Sequence, residues 1–237
     1  FSSLSILFST AHAQIQRLYV AHYNVENLFD TLDDPNINDE EYLPGSEKAW
    51  NSIKYVEKIN RLTEVINALN DSNGPDLLGL CEVENQAVVT ALTEKMLFKK
   101  RKYALVHYDS PDRRGIDVAL VYDSKKFKVI SHQSLAVRMP SDSNWATRDV
   151  LLVSGKLKNK VRLHVLVNHW PSRSGGQEKS EPKRMLAAQV VRRAVDSLQL
   201  ADPTAYVIVM GDLIDGPNDA APRQVLGADS LRTDSLP

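Results

Sequence analysis

The sequence predicts an α/β domain on three observations. Short apolar runs rich in β-branched residues recur along the chain, two segments repeat their apolar residues at helical spacing, and several runs end on acidic or amide residues. The run 206–210, Tyr-Val-Ile-Val-Met, reads as a strand buried on both faces. Gly211 lets the backbone turn after it, so that Asp212 leaves at its carboxyl end. Open α/β architectures gather their chemistry beyond such strand ends, which makes Asp212 a candidate metal ligand or general base. Turn capping before Gly216-Pro217-Asn218-Asp219 would use the same residue type, so the other strand ends decide between the two readings.

At 237 residues, 43% hydrophobic and 25% charged, the chain is long enough for one domain with a substantial core and has no bias toward disorder. A formal net charge of −1 excludes a global positive field that would draw the protein onto nucleic acid or anionic membrane, so any such binding must be local. The single cysteine, Cys81, excludes an intrachain disulfide and a cysteine-rich zinc site, and its apolar neighbours predict burial. Residues 1–13 hold a short apolar run, Leu4, Ile6, Leu7 and Phe8, followed by Ala11-His12-Ala13. This predicts a signal-peptide remnant over 1–13, a mature chain from Gln14, and a secreted or periplasmic protein. No later run reaches the roughly 18 apolar residues of a membrane helix. No stable membrane insertion is expected, and a monomer is.

Residues 18–23 form a strand that delivers Asn24 and Glu26 to one face by period two. Residues 30–44, acidic and rich in turn formers, read as a solvated loop. Over 50–69, Tyr55, Ile59, Leu62, Ile66 and Leu69 fall on one face of an amphipathic helix that Asn73-Gly74-Pro75 stops. Strand 76–81 ends in Glu82, with Glu84 two residues on. A short helix over 88–97 precedes Lys99-Lys100-Arg101-Lys102, a solvated surface run. Strands 103–108 and 116–122 follow. Asp117, at the start of the second, needs a partner if it points inward, and His169 is the candidate. Strands 127–130, 150–157 and 161–168 come next, the last two joined by a turn at 158–160. His164 lies mid-strand and reads as structural, whereas His169 sits where a strand opens into a loop. Pro182 opens a helix to about Leu200, in which Leu186, Val190, Ala194 and Leu198 repeat every four residues. No internal repeat, Walker loop or Gly-x-Gly-x-x-Gly fingerprint is present, which argues against nucleotide-cofactor chemistry.

Five strand ends thus present Asn24 with Glu26, Glu82 with Glu84, Asp117, Asn168 with His169, and Asp212. Hard oxygen donors with one imidazole favour Mg²⁺ or Mn²⁺ over zinc, and carboxylates around such an ion suit phosphoester hydrolysis. The segments 23–29 (Tyr-Asn-Val-Glu-Asn-Leu-Phe), 80–85 (Leu-Cys-Glu-Val-Glu-Asn), 114–119 (Arg-Gly-Ile-Asp-Val-Ala), 168–170 (Asn-His-Trp) and 210–212 (Met-Gly-Asp) occur in that order. From about residue 18 to the end, the chain resembles the endonuclease/exonuclease/phosphatase superfamily in its bacterial secreted type. The resemblance implies the deoxyribonuclease I-like fold, a four-layer sandwich of two packed mixed β-sheets flanked by helices. It also implies metal-dependent hydrolysis of phosphodiester bonds. Asn24, Glu82 and Asp212 would hold the ion, and His169, oriented by Asp117, would act on the scissile phosphate. Asp212 would also orient or deprotonate the attacking water. Asn168, Arg114, Trp170 and Arg173, with Arg113, would flank the phosphate.

Two departures from the family pattern stand out. The Gly-Asp-x-Asn motif has Ile214 in place of its asparagine, which can neither ligate a metal nor hydrogen-bond phosphate, and loss of one preorganised contact typically costs about 10²- to 10³-fold in rate. No histidine follows His169, whereas the family supplies a second imidazole from a Ser-Asp-His segment. Residues 14–237 are therefore expected to be the family's domain without its last strands, with a sheet edge left open. The expected function is that of an extracellular or periplasmic nuclease. A phosphatase or lipid phosphodiesterase of the same superfamily, or a catalytically impaired binder of a phosphate ligand, are the alternatives.

Overall fold

The computed structural model describes residues 17–228 apart from 97 and 99; the expected signal-peptide remnant and the last nine residues lie outside them. Strands β1 (Val20–Leu28), β2 (Leu77–Val83), β3 (Tyr103–His107) and β4 (Asp117–Asp123) form one sheet in the order β1-β2-β4-β3. Strands β5 (Phe127–Leu135), β6 (Val150–Leu157), β7 (Arg162–His169) and β8 (Tyr206–Asp212) form the second in the order β5-β6-β7-β8. β1–β2 and β7–β8 are parallel pairs and the rest antiparallel, so both sheets are mixed. Helices α1 (Ser52–Ser72) and α2 (Gln86–Lys95) flank the first sheet and α3 (Gln177–Ala201) the second. This is the expected deoxyribonuclease I-like architecture.

Strand alternation explains the layers. Leu78 and Leu80 of β2 turn outward onto Ile59, Leu62 and Ile66 of α1, while Leu77 and Cys81 turn inward to meet Val165 and Val167 of β7. Leu166 points to the opposite face of β7 and packs under Ala188 and Val191 of α3. At ~1.5–3 kcal/mol for each fully buried aliphatic side chain, these three layers fix which face every strand-end residue takes.

Two irregularities aim the site residues. Asn24 pairs with Cys81 but Leu28 with Val83, so β1 carries extra residues there, and Glu26 and Asn27 take left-handed backbone (φ 53° and 62°). In β2, Glu82 is the extra residue between the Cys81–Val118 and Val83–Asp117 pairs, with φ 63°. Such bulges re-aim a side chain at a strand end, and strained backbone of this kind clusters at functional sites.

Helix α1 follows the expected apolar face, is capped by Asn51 accepting from the amides of Ile53 and Lys54, and is kinked at Leu69–Asp71. Four expectations are corrected. Helix α3 starts at Gln177 rather than Pro182, because fully buried Arg184 ties down the turn before the proline, donating to Ser180 Oγ and Gln177 Oε1. Strand β8 is half-buried, since among the described residues it is an edge strand paired only with β7. Arg101 of the basic run is buried, bridging Asp76 and Asp123. The acidic loop is not wholly solvated: Asp39 is buried and accepts the Asp34 amide.

Candidate active site

Asn24 of β1, Glu82 at the bulge of β2, His169 at the end of β7 and Asp212 at the end of β8 meet where the two sheets open. The parallel approach of β7 and β8 requires Gly211: its φ is 135°, and a Cβ there would lie 1.9 Å from the Asn168 carbonyl oxygen. The Asp212 carbonyl then accepts the Trp170 amide at 2.9 Å, locking the two strand ends together.

The amide of Asn24 ties one sheet to the other. Its Nδ2 donates to Glu82 Oε1 and to Asp212 Oδ2, both at 3.1 Å, while its Oδ1 accepts the Glu26 amide at 2.9 Å. His169 Nε2 lies 3.7 Å from Glu82 Oε1, and its Nδ1 is buried with no hydrogen-bond partner among the described residues. Burial, then the charges of Arg148, Arg114 and His22, push the His169 pKa down to about 2. Its imidazole is therefore neutral at physiological pH, able to donate from one nitrogen and accept at the other. Beneath the site, Cys81 donates to the Asn168 carbonyl at 3.1 Å, and burial pushes its thiol up to about 12, so it is no nucleophile.

Of the remaining expected residues, Arg114 comes close enough for its charge to act on His169, and its half-exposed guanidinium lies 3.7 Å from Asp112. Arg113 donates to the Asn144 carbonyl instead of facing the centre. Arg173 spans Asp215 and Asp219, holding the loop after Asp212. Three expectations are corrected. Asp117 does not pair with His169. It shares the outward parity of Ala119 and Val121, and its carboxylate meets Ser110 at both amide and hydroxyl and His107 Nε2 at 3.3 Å. Asn168 and Trp170 are not exposed to a substrate. Asn168 is fully buried, its Nδ2 donating to the Leu166 and Met210 carbonyls and its Oδ1 accepting from buried Trp170 Nε1, so the two clamp the strand ends from within.

Three residues near the centre escaped sequence reading. Buried Arg148 donates to the carbonyls of His169 (3.2 Å) and Trp170 (2.6 Å) and to Asp112 (2.9 Å), bracing the histidine's backbone. His22 sits beside Cys81, its pKa lowered by burial against the raising pull of Asp212. Half-buried Lys58 of α1 donates to the Glu26 carbonyl at 2.5 Å, and burial lowers its pKa against the pull of Glu26 and Glu82. Only Lys58 left a trace in the sequence, as a cation on the polar side of an amphipathic helix.

The donor set fits a hard divalent cation. Glu82 and Asp212 converge on one amide, and among the described residues no lysine or arginine bonds either carboxylate. Two carboxylates without a bonded cation, beside an amide that can offer oxygen, match the preference of Mg²⁺ and Mn²⁺ for oxygen ligands. A separate group, His107, Asp109 and Asp117, brings ligand atoms within 4.8 Å of one another.

Residues 19–235 match the model of the Endonuclease/Exonuclease/phosphatase family. The chain belongs to this family. Its members include nucleases, phosphatases and phosphodiesterases, and they generally use divalent metals. No curated protein sequence matches the chain. Among solved structures, it is similar to the mannosyl-6-phosphatase of Bacteroides thetaiotaomicron, at 16% identity and a TM-score of 0.58 over 89% of this chain and 70% of that one. It is similar to truncated Caenorhabditis elegans TDP2 at 18% and 0.54 (84% and 63%), and to the human Nocturnin catalytic domain with bound sulfate at 16% and 0.53 (70% and 61%). The chain thus spans less than two thirds of the length of these last two, and identities this low establish the shared fold alone. No helix among the described residues is long and apolar enough to cross a membrane.

Proposed function

We propose that this chain hydrolyses phosphodiester bonds with the help of Mg²⁺ or Mn²⁺, acting as a nuclease. The observation that carries the reading is the convergence of Asn24, Glu82, His169 and Asp212 from four strands on one opening between the sheets, with two carboxylates that no lysine or arginine among the described residues bonds. Asn24, its amide turned oxygen-first, would hold the ion with Glu82 and Asp212. A bound divalent ion would withdraw charge from the phosphoryl oxygens.

The chain's own residues supply the rest. His169, neutral and held by Arg148 through its carbonyl, presents a buried imidazole to the scissile phosphate, donating a hydrogen bond to a phosphoryl oxygen. Asp212 accepts the Ile214 amide at Oδ1, which fixes its carboxylate to orient the attacking water. Arg114 adds positive charge at the same opening. The Ala11-His12-Ala13 segment supports placing the protein in the secreted or periplasmic compartment. The test is hydrolysis of bis(4-nitrophenyl) phosphate by the purified chain with Mn²⁺. The reading requires turnover that a chelator abolishes and that H169A lowers by about 10²- to 10⁴-fold. Turnover indifferent to both, or none from a folded protein, overturns it.

A further inference from the structure

We propose that the groove between the exit of β1 and helix α1 is a subsite for the phosphates next to the scissile one, with Lys54, Lys58 and Arg61 as their cationic ligands. The occupant is a single-stranded nucleic acid. The proposal rests on the phosphodiesterase reading above.

The groove, about 450 Å³, has Asn24 and Glu26 at one end and runs past Trp50 along α1. It therefore begins at a residue of the candidate metal site. Lys54, Lys58 and Arg61 stand at offsets 0, 4 and 7 and share one face of the helix. At 1.5 Å per residue they span ~10 Å, a reach that covers more than one backbone phosphate of a single strand.

Lys58 is held in place for this task. Its stem is half-buried, its Nζ donates to the Glu26 carbonyl, and it lies 6.0 Å from the Trp50 ring. Trp50 is itself fixed by its Nε1 donating to the Phe29 carbonyl at 3.1 Å, leaving a ring at the groove wall on which a base can stack. Among the described residues Arg61 is engaged by Glu57, in an exposed pair 2.5 Å apart. Exposed pairs of that kind contribute little to stability, so a phosphate can take the arginine over.

Charge separates this groove from its neighbour. A second cavity, about 600 Å³, is lined by Asp30, Asp33, Asp34, Glu84, Asp112 and Asp117, with Arg113 against these carboxylates. A polyanion leaving the centre is repelled on that side and attracted along α1.

The experiment is fluorescence anisotropy of a labelled single-stranded oligonucleotide of about a dozen nucleotides, titrated at several salt concentrations in the H169A background. The slope of log K against log salt should fall by about 1.4 in K54A/R61A, at ~0.7 per lost single-strand contact, and by a further ~0.7 with Lys58→Met, which keeps the buried stem. K156A/K158A, which removes two exposed lysines at the end of β6 and in the turn after it, should leave the slope unchanged. Thermal melts confirm that each variant folds. An unchanged slope in K54A/R61A, or an equal loss in the β6–β7 variant, overturns the proposal. So does absence of oligonucleotide binding by a folded protein. In that case bis(4-nitrophenyl) phosphate hydrolysis by the wild type, whose single phosphate needs no such groove, shows whether the phosphodiesterase reading survives.

Discussion

Replacing Ile214 with asparagine should raise the hydrolytic rate without unfolding the chain. Ile214 has φ 63°, in the left-handed region. That backbone costs an L-residue roughly 1–2 kcal/mol, a β-branched residue there is an outlier, and asparagine visits it routinely. Against this relief stands lost burial, because Ile214 is half-buried where Leu213 and Val225 pack beneath α3. Losing half of the ~1.5–3 kcal/mol that full burial contributes is about 1 kcal/mol. The two terms nearly cancel, and Tm should move by no more than about 4 °C. Ile214 and Asp212 line one cavity of about 420 Å³, so an amide at 214 has room beside the carboxylate. A preorganised polar contact on the reacting phosphate is worth about 10²- to 10³-fold in kcat. The assay is kcat for bis(4-nitrophenyl) phosphate with Mn²⁺, alongside a thermal melt. An unchanged kcat in a variant with unchanged Tm would refute the placement of residue 214 at the reaction centre, and a Tm loss beyond about 8 °C would refute the strain argument.

Three more expectations follow from the same geometry. Mn²⁺ should raise the Tm of the wild type but not of an E82Q/D212N variant, since an ion at 100 times its Kd stabilises by about 2.7 kcal/mol; equal shifts in both would place the ion elsewhere. Gly211→Ala should cost roughly 3 kcal/mol or more in urea denaturation, because its Cβ meets the Asn168 carbonyl and its φ is unsuited to a side chain; a neutral result would mean that β7 and β8 do not approach so closely. Burial, then the charges of Asp30, Asp39 and Asp34, raise the Glu84 pKa from 4.5 to about 7. The folded state then binds more protons than the unfolded one across that window, so Glu84 favours folding below pH 4.5 and loses that contribution as pH rises through 7. At ~1.4 kcal/mol per unit the upper bound is roughly 3 kcal/mol, and Glu84→Gln should raise Tm at pH 8 relative to pH 5; equal shifts at the two pH values would contradict it.

The strand ends were legible because each joins a short apolar run to a polar exit, and that local contrast survives without knowledge of the partner strands. Asn24, Glu82, His169 and Asp212 were found in this way, together with the fold their order implies. Their pairings were not legible. Whether Asp117 faces His169 depends on strand parity and on the bulge at Glu82, which the surrounding apolar residues do not reveal, and the structure gives Asp117 to His107 and Ser110 instead. Asn168 and Trp170 look like loop residues in a polar segment, yet the β7–β8 approach buries both. Arg148 lies beside Asp149 at the start of β6, and nothing local marks it as the brace of a histidine far along the chain. The edge position of β8 is likewise a property of sheet order, invisible in a run of valine and isoleucine.

Conversion of supercoiled plasmid by the purified chain tests whether the four strand ends make one metal-dependent phosphodiesterase centre. With Mg²⁺ or Mn²⁺ the wild type should nick the plasmid, and both chelator and His169→Ala should stop it. Nicking that persists in the folded H169A protein, or no nicking by folded wild type at any metal concentration, would contradict the claim.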